Sequence, residues 1–171
     1  MDILQYPYSA LTEKLRTGEL DIIIADAFCE GDFSRHELET RTMFSSPNYI
    51  AAAPAVAEKY HGDTLAMLRN ECLITNCEAD GPSSMDMLHR LLREEFGFVP
   101  GSIAQTNSIN AQLLLVRAMH GVALVPGFIL DAQGQDLARF PLPHGAPVEY
   151  RLMKLASNTD PAVMLMFSDT L

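Results

Sequence analysis

Apolar residues along this chain follow two rhythms: runs at helical spacing, and short runs rich in β-branched residues that close on Gly or Pro. The opening "DILQY" predicts a short strand ending at Pro7. "SALTEKLRTGELD" sets Leu11, Leu15 and Leu20 on one helical face, with Ser9 placed as N-cap and Gly18 as the stop. "DIIIADAF" predicts a strand buried on both faces, and the polar "CEGDFSRHELETR" a loop. "TMFSSPNYIAAAP" reads as one or two extended pieces. "AVAEKYHGDTLAMLRN" returns to helical spacing, broken at Gly62–Asp63, and "ECLITN" is a short strand. In "GPSSMDMLHRLLREEFGFVP", Met85, Leu88, Leu91, Leu92 and Phe96 recur at helical intervals, and Gly97 and Pro100 close the helix.

"GSIAQT" is extended, and "NSINAQLLLVRAMHGVALVP" is a helix feeding a strand that ends at Pro126. "GFILDAQGQDLARFPLP" is a short helix or turn before a strand. "PVEYRLMKLAS" alternates as a strand, and "DPAVMLMFSDTL" is a terminal helix. Strands alternating with helices predict an α/β fold with a mainly parallel sheet covered on both faces. Proline and extended residues cluster at Ser45–Ala53 and Pro143–Tyr150, the two places where the chain is expected to cross between lobes.

Composition narrows the classes. The 171 residues are 48% hydrophobic, enough for one core or two small lobes. Twelve Lys and Arg face 22 Asp and Glu, a net charge of -10. A duplex-binding surface needs clustered cations, so this chain by itself is a poor DNA binder. The three cysteines, Cys29, Cys72 and Cys77, form no disulfide scaffold. "MDILQYPYS" lacks the basic start and apolar core of an export signal, and no run reaches the roughly 20 apolar residues that span a bilayer. A cytoplasmic protein with no membrane partner is expected.

Candidate chemistry gathers at two helix openings. Thr106, Asn107 and Ser108 stand where the first helical amides lack intrahelical acceptors and the macrodipole is positive. Small polar residues there cap the helix, bind a carboxylate, or do both. Asn76, with Ser83 and Ser84 after Pro82, forms a second such opening. Glu78 and Asp80 lie between and would repel an anion or meet an amino or hydroxyl group. Asp26, at the end of its strand, is either a pocket contact or a solvated carboxylate. The scattered histidines and the cysteine spacing give no metal set, and no catalytic motif is present. No cofactor is expected.

"LTEKLRTGELDIIIAD", "PNYIAAAP", "ECLITN" with the helix after it, "NSINAQLLLVRAMHGVALVP" and "EYRLMKLASNTDPAVMLMFSDTL" together resemble, in this order, the effector-binding domain of LysR-type transcriptional regulators. The resemblance implies two Rossmann-like lobes with a ligand cleft between them, of periplasmic-binding-protein-like type. Lobe I would be residues 1–50 plus 146–171, and lobe II residues 51–145. It also implies a small-molecule effector near Thr106–Ser108 and Pro126, a homodimer, and DNA contact only through a helix-turn-helix domain that this chain does not contain. Family domains carry a strand and helix ahead of "DILQY", so the first lobe is expected to be incomplete at its N-terminus, or completed by a second chain. Relatives also have a glycine where Met119 stands, which leaves that helix to end at Gly121 or in a left-handed Met119 or His120. A solute receptor of periplasmic type and a small α/β enzyme are the alternatives.

Overall fold

The computed structural model describes residues 6, 8–26, 33–34, 36–76, 82–106, 108–145 and 147–168, with the side chains of 8, 9, 82–84 and 87 excepted. The expected strand "DILQY" lies outside the described residues except for Tyr6. The chain divides into two units: residues 1–46 with 148–171, and residues 47–147.

The first unit holds α1 (Tyr8–Thr17), β1 (Ile23–Asp26), β2 (Leu38–Ser46), β8 (Val148–Leu155) and α7 (Pro161–Ser168). Its described sheet has the order β1-β8-β2, and both pairings are antiparallel. Leu15 of α1 packs with Ile23, Ala25 and Met153 on one face. On the other face α7 is tied down through its backbone. Arg41 Nη1 donates to the carbonyl of Phe167 at 2.7 Å. The ammonium of Lys154, a residue with no solvent exposure, lies 2.9 Å from Glu39 Oε2, 3.2 Å from the carbonyl of Asn158 and 5.4 Å from the centre of the Phe167 ring. A buried cation persists only when so surrounded.

Three sequence expectations are corrected here. The "DIIIADAF" strand is not buried on both faces: Ile23 and Ala25 are buried while Ile24 is 54% exposed, the alternation of an antiparallel strand. The segment expected as a loop to Arg41 becomes strand from Leu38, because its polar residues pair in register with β8 and stay largely exposed. Ser9 lies inside α1 and not ahead of it, so it is not the N-cap. Gly18 does end that helix, at φ 76°.

The second unit runs β3 (Asn48–Ala52), α2 (Pro54–Lys59), α3 (Thr64–Asn70), β4 (Leu73–Thr75), α4 (Pro82–Phe96), β5 (Ile103–Gln105), α5 (Ile109–Arg117), β6 (Val122–Pro126), α6 (Gly127–Gln133) and β7 (Ala138–Pro141). The sheet order is β5-β4-β6-β3-β7. β4 pairs parallel with β5 and β6, whereas β3 pairs antiparallel with β6 and β7. Among the described strands, the expectation of a mainly parallel sheet therefore fails in both units. The run "NYIAAA" has a buried-strand pattern that carries no sign of direction, and only its pairing partners reveal it.

Helices on both faces are observed. Val56, Met67, Leu68, Leu88 and Leu92 pack with Ile50, Ala52, Leu73 and Val122. Leu113, Val116 and Leu130 pack with Ala51, Ile74 and Ala123 on the opposite face. Neighbouring strand residues thus feed opposite clusters, which is why β3, β4 and β6 read as continuous apolar runs. Fully burying each such leucine contributes roughly 1.5–3 kcal/mol.

Candidate functional site

The sheet order of the second unit fixes where a ligand site can form. From β4 the chain passes through α4 to β5 on one side, then returns through α5 to β6 on the other side of β4. β4 and β6 are therefore neighbours whose following helices lie on opposite faces, the switch point beyond whose carboxyl ends α/β sheets bind ligands. Asn48 pairs with Pro126 and Tyr49 with Pro141. The entry to β3 and the end of β7 consequently lie at this same edge.

Thr106 closes the turn from β5 to α5 onto β4. Its amide donates to the carbonyl of Thr75 at 2.8 Å, and its hydroxyl stands 3.2 Å from the carbonyls of Thr75 and of Ser108. Ser108 is the N-cap of α5: extended at φ -156° and ψ 151°, it accepts from the Ala111 amide through Oγ at 3.2 Å. Its carbonyl accepts from the Gln112 amide at 3.1 Å. The cap leaves the amides of Ile109 and Asn110 without acceptors inside the helix, pointing out of its positive end. Capping is observed, and it is compatible with anion binding.

The other sequence candidates fall as follows. Asn76 is exposed directly after β4. Ser83 and Ser84 occupy the first turn of α4 behind Pro82, which stands at the first helical position as expected. Pro126 ends β6 and precedes α6, and the Gly127 amide after it donates to the carbonyl of Pro47 at 2.7 Å. Asn107, Glu78 and Asp80 lie outside the described residues. Thr106, Ser108, Asn76, Pro126 and the start of α4 share the edge of one sheet; Asp26 belongs to the first unit.

There Asp26 pairs in register with Tyr150, whose ring stacks on Phe44 with centroids 5.0 Å apart. Burial first, then the Asp26 charge, pushes the Tyr150 hydroxyl up to about 12.

Gln112 went unnoticed in the sequence. It has no solvent exposure, and Nε2 donates to the carbonyls of Ile74 at 2.8 Å and Leu124 at 3.3 Å, in β4 and β6 respectively. Its Oε1 is buried and has no hydrogen-bond partner among the described residues, an arrangement that costs about 1–3 kcal/mol. The available signal was a lone polar residue on the apolar face that Leu113 and Val116 share. Among the described residues, no group of three or more His, Cys, Asp or Glu could hold a metal ion. No helix among them is long and apolar enough to cross a membrane.

A capped helix thus stands over the switch point of an α/β sheet, the place where such sheets bind ligands. The model of the LysR substrate binding domain matches residues 1–171, and the chain belongs to that family. Solved structures share the fold at low identity. Full-length CbnR complexed with its target DNA is 19% identical, with a TM-score of 0.72 over 97% of this chain and 56% of that one. The BenM effector binding domain with its effector benzoate is 16% identical, with a TM-score of 0.64 over 94% and 78%. A probable transcriptional regulator, PA0477 from Pseudomonas aeruginosa, is 21% identical, with a TM-score of 0.69 over 93% and 53%. The chain thus spans little more than half the length of the full-length regulators. No curated protein shows a significant sequence match.

Proposed function

We propose that this chain is the effector-sensing part of a transcriptional regulator and that its effector is a small organic anion. The anion lies at the carboxyl ends of β4, β5 and β6, against the open amides of α5. The observation that carries this reading is the N-terminus of α5 capped by Ser108 at the switch point, with Thr106 fastened beside it to β4. Asn76, Ser83, Ser84 and Pro126 contribute from the same side of this sheet, and Asn107 is assigned with them from its place in the sequence beside Ser108. BenM, a protein of the same fold, is described with benzoate as its effector, which favours an anionic ligand.

In this reading the domain binds and does not catalyse. It works in the cytoplasm as a homodimer and meets DNA only through a separate helix-turn-helix domain. The effector acts by population shift, moving the arrangement by no more than its difference in affinity between two states. A thermal-shift screen of the 171-residue domain against small carboxylates and amino acids tests it. A ligand present at a hundredfold excess over its Kd stabilises by about 2.7 kcal/mol. Turnover of a bound acid would favour the enzyme reading instead.

A further inference from the structure

Among the described residues, one face of the first unit's sheet carries less helix than its width requires. Opposite residues of antiparallel strands share a face, so Ile24, Leu152 and Arg41 form one row across β1, β8 and β2. Arg41 and Lys154, the residues that hold Phe167, come from β2 and β8. α7 therefore lies on that face over these two strands. A helix about 10 Å wide covers roughly two strands spaced about 4.8 Å apart. β1 is left over: its Ile24 is 54% exposed, while Leu152, the next residue in the row, is buried.

Beside this gap α7 adds apolar surface of its own. Val163 is buried, so the helical turn puts Leu165 on the far side of α7 and Met164 and Met166 on its flanks. Leu165 is 60% exposed, and both methionines are exposed too. A lone exposed leucine is ordinary, but three consecutive large apolar residues beside an exposed isoleucine form a patch that marks an interaction surface. Among the seven helices of the described residues, α7 alone contains no ionisable side chain. The chain's net charge is -10, so two copies repel each other wherever their acidic faces meet. On this face the repulsion is weakest, and a partner recognised by charge finds nothing to read.

We propose that a second copy of this chain covers the face, the α7 of each copy lying over Ile24 of the other about a twofold axis. The inference rests on the homodimer reading above and names the surface that forms it. What the open half needs is a helix with an apolar ridge, and α7 is such a ridge. A twofold arrangement makes each contact twice and closes at two copies. Methionine flanks suit it, because their flexible thioethers fit an irregular neighbour. The ties from Arg41 and Lys154 hold α7 against its own sheet, so the ridge is set before the copies meet.

Sedimentation velocity of the 171-residue chain at rising concentration tests this, with thermal melts to show that each variant is folded. The chain is expected to form a dimer. Leu165→Asp is expected to weaken it roughly tenfold or more, since one substitution enters the interface twice. Met164→Gln adds no charge and is expected to weaken it as well, and it serves as the test if Leu165→Asp does not fold. Leu114→Asp, on the exposed side of α5 in the second unit, is expected to leave the dimer intact. A dimer broken by Leu114→Asp and untouched by the α7 variants overturns the assignment and leaves the homodimer reading standing. A monomer at every concentration overturns both, and is the result expected if a different polypeptide covers α7. Growth past two copies overturns the twofold arrangement. None of these outcomes touches the effector reading, which the acid screen tests separately.

Discussion

The end of α5 shows how one residue carries a cost on behalf of another. Ala118 closes the helix, the Met119 amide donates to the carbonyl of Val116 at 3.0 Å, and the His120 amide reaches Leu115 at 3.0 Å. This is the paired closure usually built around glycine, yet the left-handed position is Met119, at φ 60°. Gly121 cannot serve instead, because it is committed elsewhere. At φ 156°, a Cβ added to it would stand 2.1 Å from the carbonyl oxygen of Cys72, which accepts from the Val122 amide as β6 begins. Met119→Gly is expected to raise stability by about 1 kcal/mol in a urea melt. Gly121→Ala is expected to lose about 3 kcal/mol or prevent folding. Relatives' glycine at the Met119 position made the anomaly visible in the sequence. Which residue would turn left-handed was not readable, since it depends on a contact with Cys72, far away in the chain.

Tyr150 offers a residue-scale test by pH. Its folded value is raised to about 12, by burial and then by Asp26. The folded state therefore holds the phenol proton more tightly than the unfolded chain. The associated stability is complete below about pH 10, the ordinary tyrosine value, and is lost as pH climbs toward 12. Alkaline melts should show a decline across this window that Tyr150→Phe reduces.

At the scale of elements, α7 is held to its sheet by polar anchors as much as by packing. Lys154 is fully buried and Glu39, its partner across the β2–β8 pair, is not. The two ends of the bridge are therefore unequal. Glu39→Gln leaves a buried cation without its counter-charge and should cost about 3 kcal/mol. Lys154→Met removes the buried charge and leaves Glu39 to solvent, so it should cost less than about 1 kcal/mol. Equal losses in denaturant melts would show that the bridge acts as an ordinary surface pair. The existence of β8 and α7 was legible from alternation and from the apolar run "AVMLMF", as were α4 and its stop at Gly97. Strand direction was not legible, because burial on both faces looks the same in parallel and antiparallel strands. Nor was the extent of β2, whose polar residues pair without needing a core.

Over the whole molecule, the alternation of helices and strands predicts an α/β chain, and the order of its motifs predicts the family to which it belongs. The helix N-terminus of α5 was legible because Thr106, Asn107 and Ser108 break an apolar pattern just where amides lie open. Gln112 was not, because one polar residue inside "NAQLLL" does not reveal that it spans β4 and β6. The central claim is that an organic anion lies on α5 at the edge of the second unit. An amide NMR titration of the 15N-labelled domain with the most stabilising acid tests it most directly. The account predicts shifts concentrated at Thr75, Asn76, Thr106, Ser108 to Gln112 and Gly127. Shifts gathered at α2 and α3 instead, or none at saturating acid, would contradict it.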